Sequence, residues 1–233
     1  MKLKNKESID KFVEFLKGIR MSTINQCLLN FNEQGLYISV MSDSNTHQSV
    51  GLFDKSNFEE YVPIGNIGID AFEQFINVFK KMGDEIELGA EGNLMIIKGK
   101  NKQLEFELVD EKYIEKIREI PTLEHTTTAT IPVKKIIEFL GDASQNKDTR
   151  VIIKTVNDGV ILTNTGKYKF TYNIDSPGTV EGVTVKFGEP FQKVFSTFKD
   201  GDYVLSLKTN YPMVATYKQD TFNMKLLVAP IQD

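Results

Sequence analysis

Reactive side chains are scarce in this sequence: two histidines, His47 and His125, and a single cysteine, Cys27. A metal centre needs several nitrogen, sulfur or carboxylate ligands at short, characteristic spacings, and three residues this scattered do not supply them. The stretch SDSNTH, Ser42 to His47, holds a serine, an aspartate and a histidine. Catalytic triads are assembled by the fold rather than by neighbours in sequence, so the run carries no nucleophile signal. GNIG, Gly65 to Gly68, lacks the glycine spacing of a phosphate-cradling loop. Carboxylates are numerous, but no pair stands apart as a magnesium site. The expectation is a protein that is not an enzyme, with no catalytic residue, no metal and no cofactor.

What remains is the chemistry of charge. Lysines recur in pairs, at Lys11 and Lys17, Lys80 and Lys81, Lys134 and Lys135, and Lys193 and Lys199. The formal net charge is -4, which excludes an evenly basic nucleic-acid binder but not one that gathers its lysines on one surface. Acids share the same segments, among them Asp10, Glu14, Glu73, Glu138 and Glu189. Ordinary solvated helix faces, with charges that complement helix ends, are therefore the alternative to a phosphate-binding surface. Lysines that contact phosphates without any base-reading motif would bind DNA without sequence preference.

These lysines flank apolar residues spaced i, i+3, i+4, i+7, the buried stripe of an amphipathic helix. The stripes are Ile9, Phe12, Val13, Leu16; Phe72, Phe75, Ile76, Phe79; Val133, Ile136, Ile137, Leu140; and Phe191, Val194, Phe195, Phe198. Their first members lie 63, 61 and 58 residues apart, so the chain repeats about every sixty residues. After each stripe comes a breaker, Gly18, Gly83, Gly141 or Gly201, and then short alternating runs separated by turn residues. Gly35 and Gly159 fall where such turns need positive φ.

One helix and a few strands cannot bury both faces alone, so two quarters make a domain. The expected fold class is α+β, with two similar domains, each of two helix-plus-antiparallel-meander repeats. The domains are expected at residues 1–109 and 126–233, joined by a charged, proline-containing connector at 110–125. No run approaches a membrane span, and MKLKNKESID lacks the features of a secretory signal, so an intracellular protein with no membrane partner is expected. Cys27 reads as a small buried hydrophobe.

The closing stretch YPMVATYKQDTFNMKLLVAP, Tyr211 to Pro230, resembles the end of the proliferating cell nuclear antigen (PCNA) family of DNA sliding clamps. GLYISVMSDSNTHQSV, Gly35 to Val50, is similar to a strand and loop of that family, and Ile120-Pro121 to its interdomain connector. Beside typical cellular members of that family the chain is short and its tail after Ala229-Pro230 is cut to IQD, so the resemblance implies a viral or otherwise divergent clamp. The resemblance implies the clamp fold assembled into a homotrimeric ring, a processivity factor that encircles duplex DNA and tethers DNA polymerase and other replication proteins.

The eight lysines would then be the DNA-binding residues, and an ATP-dependent clamp loader would open the ring. Met41, Val50, Ile120, Pro212, Leu227, Val228, Ala229 and Pro230 would form the pocket for clamp-binding peptides, with plain core packing as their alternative. Leu104, Phe106 and Tyr172 would lie at the subunit interface, on the segments Gln103 to Val109 and Tyr168 to Asp175. The implied compartment is the nucleus in a eukaryote or a nuclear-replicating virus, and the cytoplasm otherwise. Other readings are a checkpoint-type subunit of a hetero-oligomeric clamp, a monomeric processivity factor, or a β-rich scaffold or ligand-binding protein without a DNA role.

Overall fold

The computed structural model describes residues 1–20, 25–114, 116, 118–146 and 150–231. Ile24, at the start of the first expected strand, and Glu115 and Ile117 of the expected connector lie outside the described residues. The chain divides into two compact units. The first comprises residues 1–43, 49–119 and 219–224, and the second residues 44–48, 120–218 and 225–233. Two short segments are thus exchanged relative to a simple cut within residues 110–125, because the strands at 47–54 and 222–228 are each divided between the units.

In the first unit the elements run β1 (Lys2–Leu3), α1 (Lys6–Arg20), β2 (Cys27–Asn32), β3 (Gly35–Met41), β4 (His47–Asp54), β5 (Phe58–Glu60), β6 (Gly65–Ile69), α2 (Phe72–Met82), β7 (Glu87–Glu91), β8 (Leu94–Gly99) and β9 (Lys102–Glu107). One sheet has the order β5-β1-β7-β8-β9; β6, β2 and β3 pair antiparallel in a second, with β4 beside β3. The Asn5 side chain caps α1, accepting from the Ser8 N–H at 2.9 Å, as an asparagine at that position should. The stripe of α1 meets that of α2 in the core, where Phe12 packs edge-to-face on Phe79 with centroids 5.0 Å apart. Phe53 and Phe58 close the same cluster around Phe12. Each such ring contributes on the order of 2–3 kcal/mol by leaving water.

In the second unit follow β10 (Thr127–Pro132), α3 (Val133–Ala143), β11 (Val151–Val156), β12 (Gly159–Asn164), β13 (Thr171–Asp175), β14 (Thr184–Phe187), α4 (Glu189–Phe195), β15 (Asp202–Leu207), β16 (Met213–Lys218) and β17 (Phe222–Val228). The sheet β13-β12-β11-β14 is wholly antiparallel, as is the run β10-β15-β16 that continues into β17. Phe191 and Phe195 stack at 4.4 Å, and Phe198 lies flat on Tyr217 at 4.0 Å.

The α+β class and the four helices stand as expected, and their details differ in three ways. Gly18 and Gly141 do not end their helices, because α1 runs on to Arg20 and α3 to Ala143, each carried by further buried residues (Ile19, Ala143). Conversely α4 stops at Phe195, short of the expected end at Asp200-Gly201, and Phe198 reaches the core from the following turn. At the β11–β12 turn it is Asp158, with φ +54°, that takes the left-handed conformation, while Gly159 already belongs to the strand. Each helix is also preceded by a short strand, β1, β6, β10 or β14, which the sequence does not announce. GNIG is one of them, most of β6.

The first part of the expected connector is tied down on the first unit. Ile114 is buried, Val109 donates its N–H to the Gly68 carbonyl at 3.0 Å, and Ser39 Oγ donates to the Arg118 carbonyl. Gly68 is required here: a Cβ would stand 2.2 Å from the Val109 oxygen. No helix among the described residues is long and apolar enough to cross a membrane.

Candidate nucleic-acid interface and partner surfaces

The amphipathic pattern places the lysines. With Ile9, Phe12 and Leu16 inward, Lys17 is exposed on α1; with Phe72, Phe75 and Phe79 inward, Lys80 and Lys81 are exposed at the end of α2, where cations complement the helix dipole. Lys80 Nζ donates to Asn77 Oδ1 at 3.0 Å, a bond easily traded for a phosphate. Lys11 is different. It is half-buried and held by Glu14 Oε2 at 3.0 Å and Gln219 Oε1 at 2.9 Å, so its charge is already matched within the first unit. Arg20, not among the expected site residues, ties the last turn of α1 to the first turn of α2 through Glu73 at 2.7 Å. Its position one helical turn beyond Leu16 was the available signal.

In the second unit Lys134 and Lys135 are exposed in the first turn of α3, and Lys135 pairs with Glu138 at 2.9 Å. Lys193 on α4 pairs with Glu189 at 2.9 Å, and that bond holds the Glu189 carboxyl below its ordinary range. Lys199 is exposed beyond the end of α4. Ile137, placed in the buried stripe by sequence, is only half-buried. It lines a shallow cavity of about 430 Å³ between α3 and α4 with Leu140, Gln192 and Lys193, because the seven-residue α4 is too short to cover α3. Among the described residues no group of His, Cys, Asp or Glu is arranged to hold a metal ion. Cys27 is buried, and burial pushes its thiol far up.

The residues expected in a peptide pocket occupy both units. Met41 and Val50 are half-buried on β3 and β4 of the first. In the second, Ile120, Pro212, Leu227, Ala229 and Pro230 are half-buried, and the Pro212 carbonyl bonds His125 Nε2 at 2.9 Å. Val228 is completely buried and offers no surface to a ligand, which follows from its place at the inward-facing end of β17. A cavity of about 630 Å³ that the sequence did not suggest opens beneath the connector, lined by Leu28, Asn30, Tyr37, Asn66 and the segment Asp110–Lys112 with Lys116. Burial, with the charge of Glu119, raises the Tyr37 hydroxyl above its ordinary range.

The segments expected at a subunit contact are both sheet edges. β9 ends the five-stranded sheet and β13 ends the four-stranded one. On β9, Leu104 and Phe106 are half-buried, with Phe106 edge-to-face on Phe75 at 5.6 Å, while Lys102, Gln103, Glu105 and Glu107 are exposed. On β13, Tyr172 packs edge-to-face on Phe139 at 5.6 Å. Such edges present rows of backbone N–H and C=O groups unpaired within their own sheet, a template on which another strand can add.

No family model matches the sequence, and no curated protein matches it. Solved structures do. The structure of PCNA from A. fulgidus, determined with the C-terminal region of FEN-1 bound, superposes with a TM-score of 0.86 at 18% identity, covering 97% of this chain and 96% of that one. PCNA from Thermococcus kodakaraensis gives 0.84 at 15% identity over 99% of both chains. PCNA from Entamoeba histolytica gives 0.82 at 20% identity over 99% and 98%. At such identities the likeness is one of fold, and it extends from end to end: the chain has the PCNA-type sliding-clamp fold.

Proposed function

We propose that the protein is a sliding clamp: copies join through their sheet edges into a closed ring around duplex DNA, and the ring tethers a DNA polymerase and other clients. The observation that carries this reading is the pairing of two free edges, β9 and β13, with helices whose exposed faces bear lysines in both units. Antiparallel addition of β9 from one protomer to β13 of the next would satisfy both rows of backbone groups and cover Leu104, Phe106 and Tyr172. With identical subunits and head-to-tail contacts the ring closes by rotation, and three copies are the proposed number.

Inside it, Lys17, Lys80, Lys81, Lys134, Lys135, Lys193 and Lys199 meet phosphates loosely and without reading bases. No covalent chemistry is asked of the protein. Its effect is to raise the local concentration of a bound polymerase at the primer end. Clients bind through short peptides at Met41, Val50, Ile120, Pro212, Leu227, Ala229 and Pro230, as half-buried apolar side chains suit an aromatic or aliphatic anchor. The ring is opened by an ATP-dependent loader.

Native mass spectrometry tests the assembly. A mass three times the 26.5 kDa of the chain supports the ring, and a single-chain mass at micromolar concentration contradicts it.

A further inference from the structure

The loop between β12 and β13, Thr165 to Phe170, presents the run Lys167-Tyr168-Lys169 to solvent, with Tyr168 52% exposed. Its backbone is fixed by two buried asparagines. Asn146, 8% exposed, clamps Tyr168 from both sides: its Nδ2 donates to the Tyr168 carbonyl at 2.7 Å, and its Oδ1 accepts from the Tyr168 N–H at 2.9 Å. Asn164, 2% exposed, donates to the carbonyls of Thr165 and Tyr168, both at 2.9 Å, and accepts from the Phe170 N–H at 2.8 Å. Gly166, with φ +126°, permits the close approach, since a Cβ there would stand 2.8 Å from Asn146 Oδ1.

Ordering a surface loop costs conformational entropy, and a plain connector between two strands does not need five side-chain hydrogen bonds to hold it. What the ordering achieves is the presentation of one aromatic ring between two cations. Lys167 Nζ lies 5.4 Å from the Tyr168 ring centre, and among the described residues Lys169 has no acidic partner. A buried core does not recruit this ring, and half of its surface stays in water.

We propose that this loop is a contact for single-stranded nucleic acid, with Tyr168 stacking on an unpaired base while Lys167 and Lys169 neutralise the flanking phosphates. A preorganised aromatic between cations is the combination that binds unpaired strands: any base offers a π-face, and the lysines follow the backbone. A duplex would leave the ring unused, since its bases are already stacked. The proposal rests on the nucleic-acid reading above and adds a second substrate form to it, the strand that lies unpaired beside a primer end.

The test measures fluorescence anisotropy of a short labelled oligothymidine, and of a duplex of equal length, against the wild type and the variants Tyr168→Ala, Tyr168→Phe and Lys167→Ala/Lys169→Ala. Tyr168→Ala weakens oligothymidine binding about tenfold, the worth of one stacked base, and leaves the duplex unaffected. Tyr168→Phe keeps the affinity, because the ring and not the hydroxyl stacks. The double lysine variant flattens the dependence of log affinity on log salt by roughly 1.4, two single-strand phosphate contacts. Absence of oligothymidine binding by the wild type, or equal binding by Tyr168→Ala, overturns the proposal. So does a fall in native mass of the variants that accounts for the lost affinity, which would assign the loop to contact between copies. Because the oligothymidine needs no closed ring, failure here leaves the encirclement of duplex DNA to its own test.

Discussion

The Tyr172 hydroxyl donates to Asp142 Oδ2 at 2.7 Å, tying the free edge strand β13 to α3. That bond raises the tyrosine hydroxyl above its ordinary range and holds the ring against Phe139, so the edge strand proposed above as the subunit contact is braced within its own unit. An edge pre-set in this way loses little entropy on pairing. Replacing Tyr172 by alanine, or Leu104 on β9 by aspartate, is therefore expected to weaken subunit association at least tenfold, since an interface anchor lost or a charge buried costs about 1.4 kcal/mol or more. Native mass at micromolar concentration reads the outcome, and a multimer mass unchanged in both variants would place the contact elsewhere.

The helix lysines divide by their partners. Lys80 is bonded to the side-chain amide of Asn77, Lys193 sits in a surface ion pair with Glu189, and Lys134 is exposed, whereas Lys11 is fixed by Glu14 and Gln219. Changing Lys80, Lys134 and Lys193 together to alanine should lower the slope of log duplex affinity against log salt by roughly 0.9 for each contact removed and leave the native mass unchanged. Lys11→Ala should leave that slope as it is. A slope that responds to Lys11 and not to the other three would mean that the phosphate-facing surface has been assigned to the wrong side chains.

The cluster around Phe79 carries the core of the first unit. Phe79 is buried against Phe12 and Phe75, with centroids 5.0 Å away in each case. Phe79→Ala should cost about 3–5 kcal/mol, the usual loss for an aromatic deleted from a close-packed core. The denaturant midpoint of the protein reports it, and a shift worth less than about 1 kcal/mol would show that the site collapses around the gap.

The repeat was legible because its signal is periodic: Phe72, Phe75, Ile76 and Phe79 announce a helix, and all four are buried. Its termini were not. Gly18 lies inside α1, which runs on through the buried Ile19, whereas Gly83 ends α2 by taking a positive φ of 96°. The short strands β6 and β14 escaped notice because five and four residues are too few to display alternation, and GNIG carries two glycines besides. For the site, residue type indicated the lysines and the edges, but not that Lys11 would be matched internally by Gln219, more than two hundred residues away. The stacking loop was the least visible, since its meaning depends on Asn146 and Asn164, which in sequence are two ordinary asparagines.

His47 gives the second unit a dependence on pH. Burial holds its pKa below the ordinary value, and the charge of Lys193 adds to the effect. The unfolded chain takes up a proton near pH 6.5, while the folded protein refuses it until lower pH. Stability contributed by the neutral ring is therefore present above that pH and is lost as pH falls toward the folded value. The urea midpoint of the protein should decline between about pH 7 and pH 5, and His47→Gln should make the decline shallower. Equal slopes would show that other groups carry the acid sensitivity.

Encirclement is tested most directly by topology. The protein is placed on a closed circular duplex by an ATP-dependent clamp loader, washed in high salt, and the circle is then cut at one site. A ring that surrounds DNA without gripping it stays on the circle through the wash and leaves once ends exist. Equal loss before and after cutting, or equal retention, would contradict a ring that holds DNA by enclosing it.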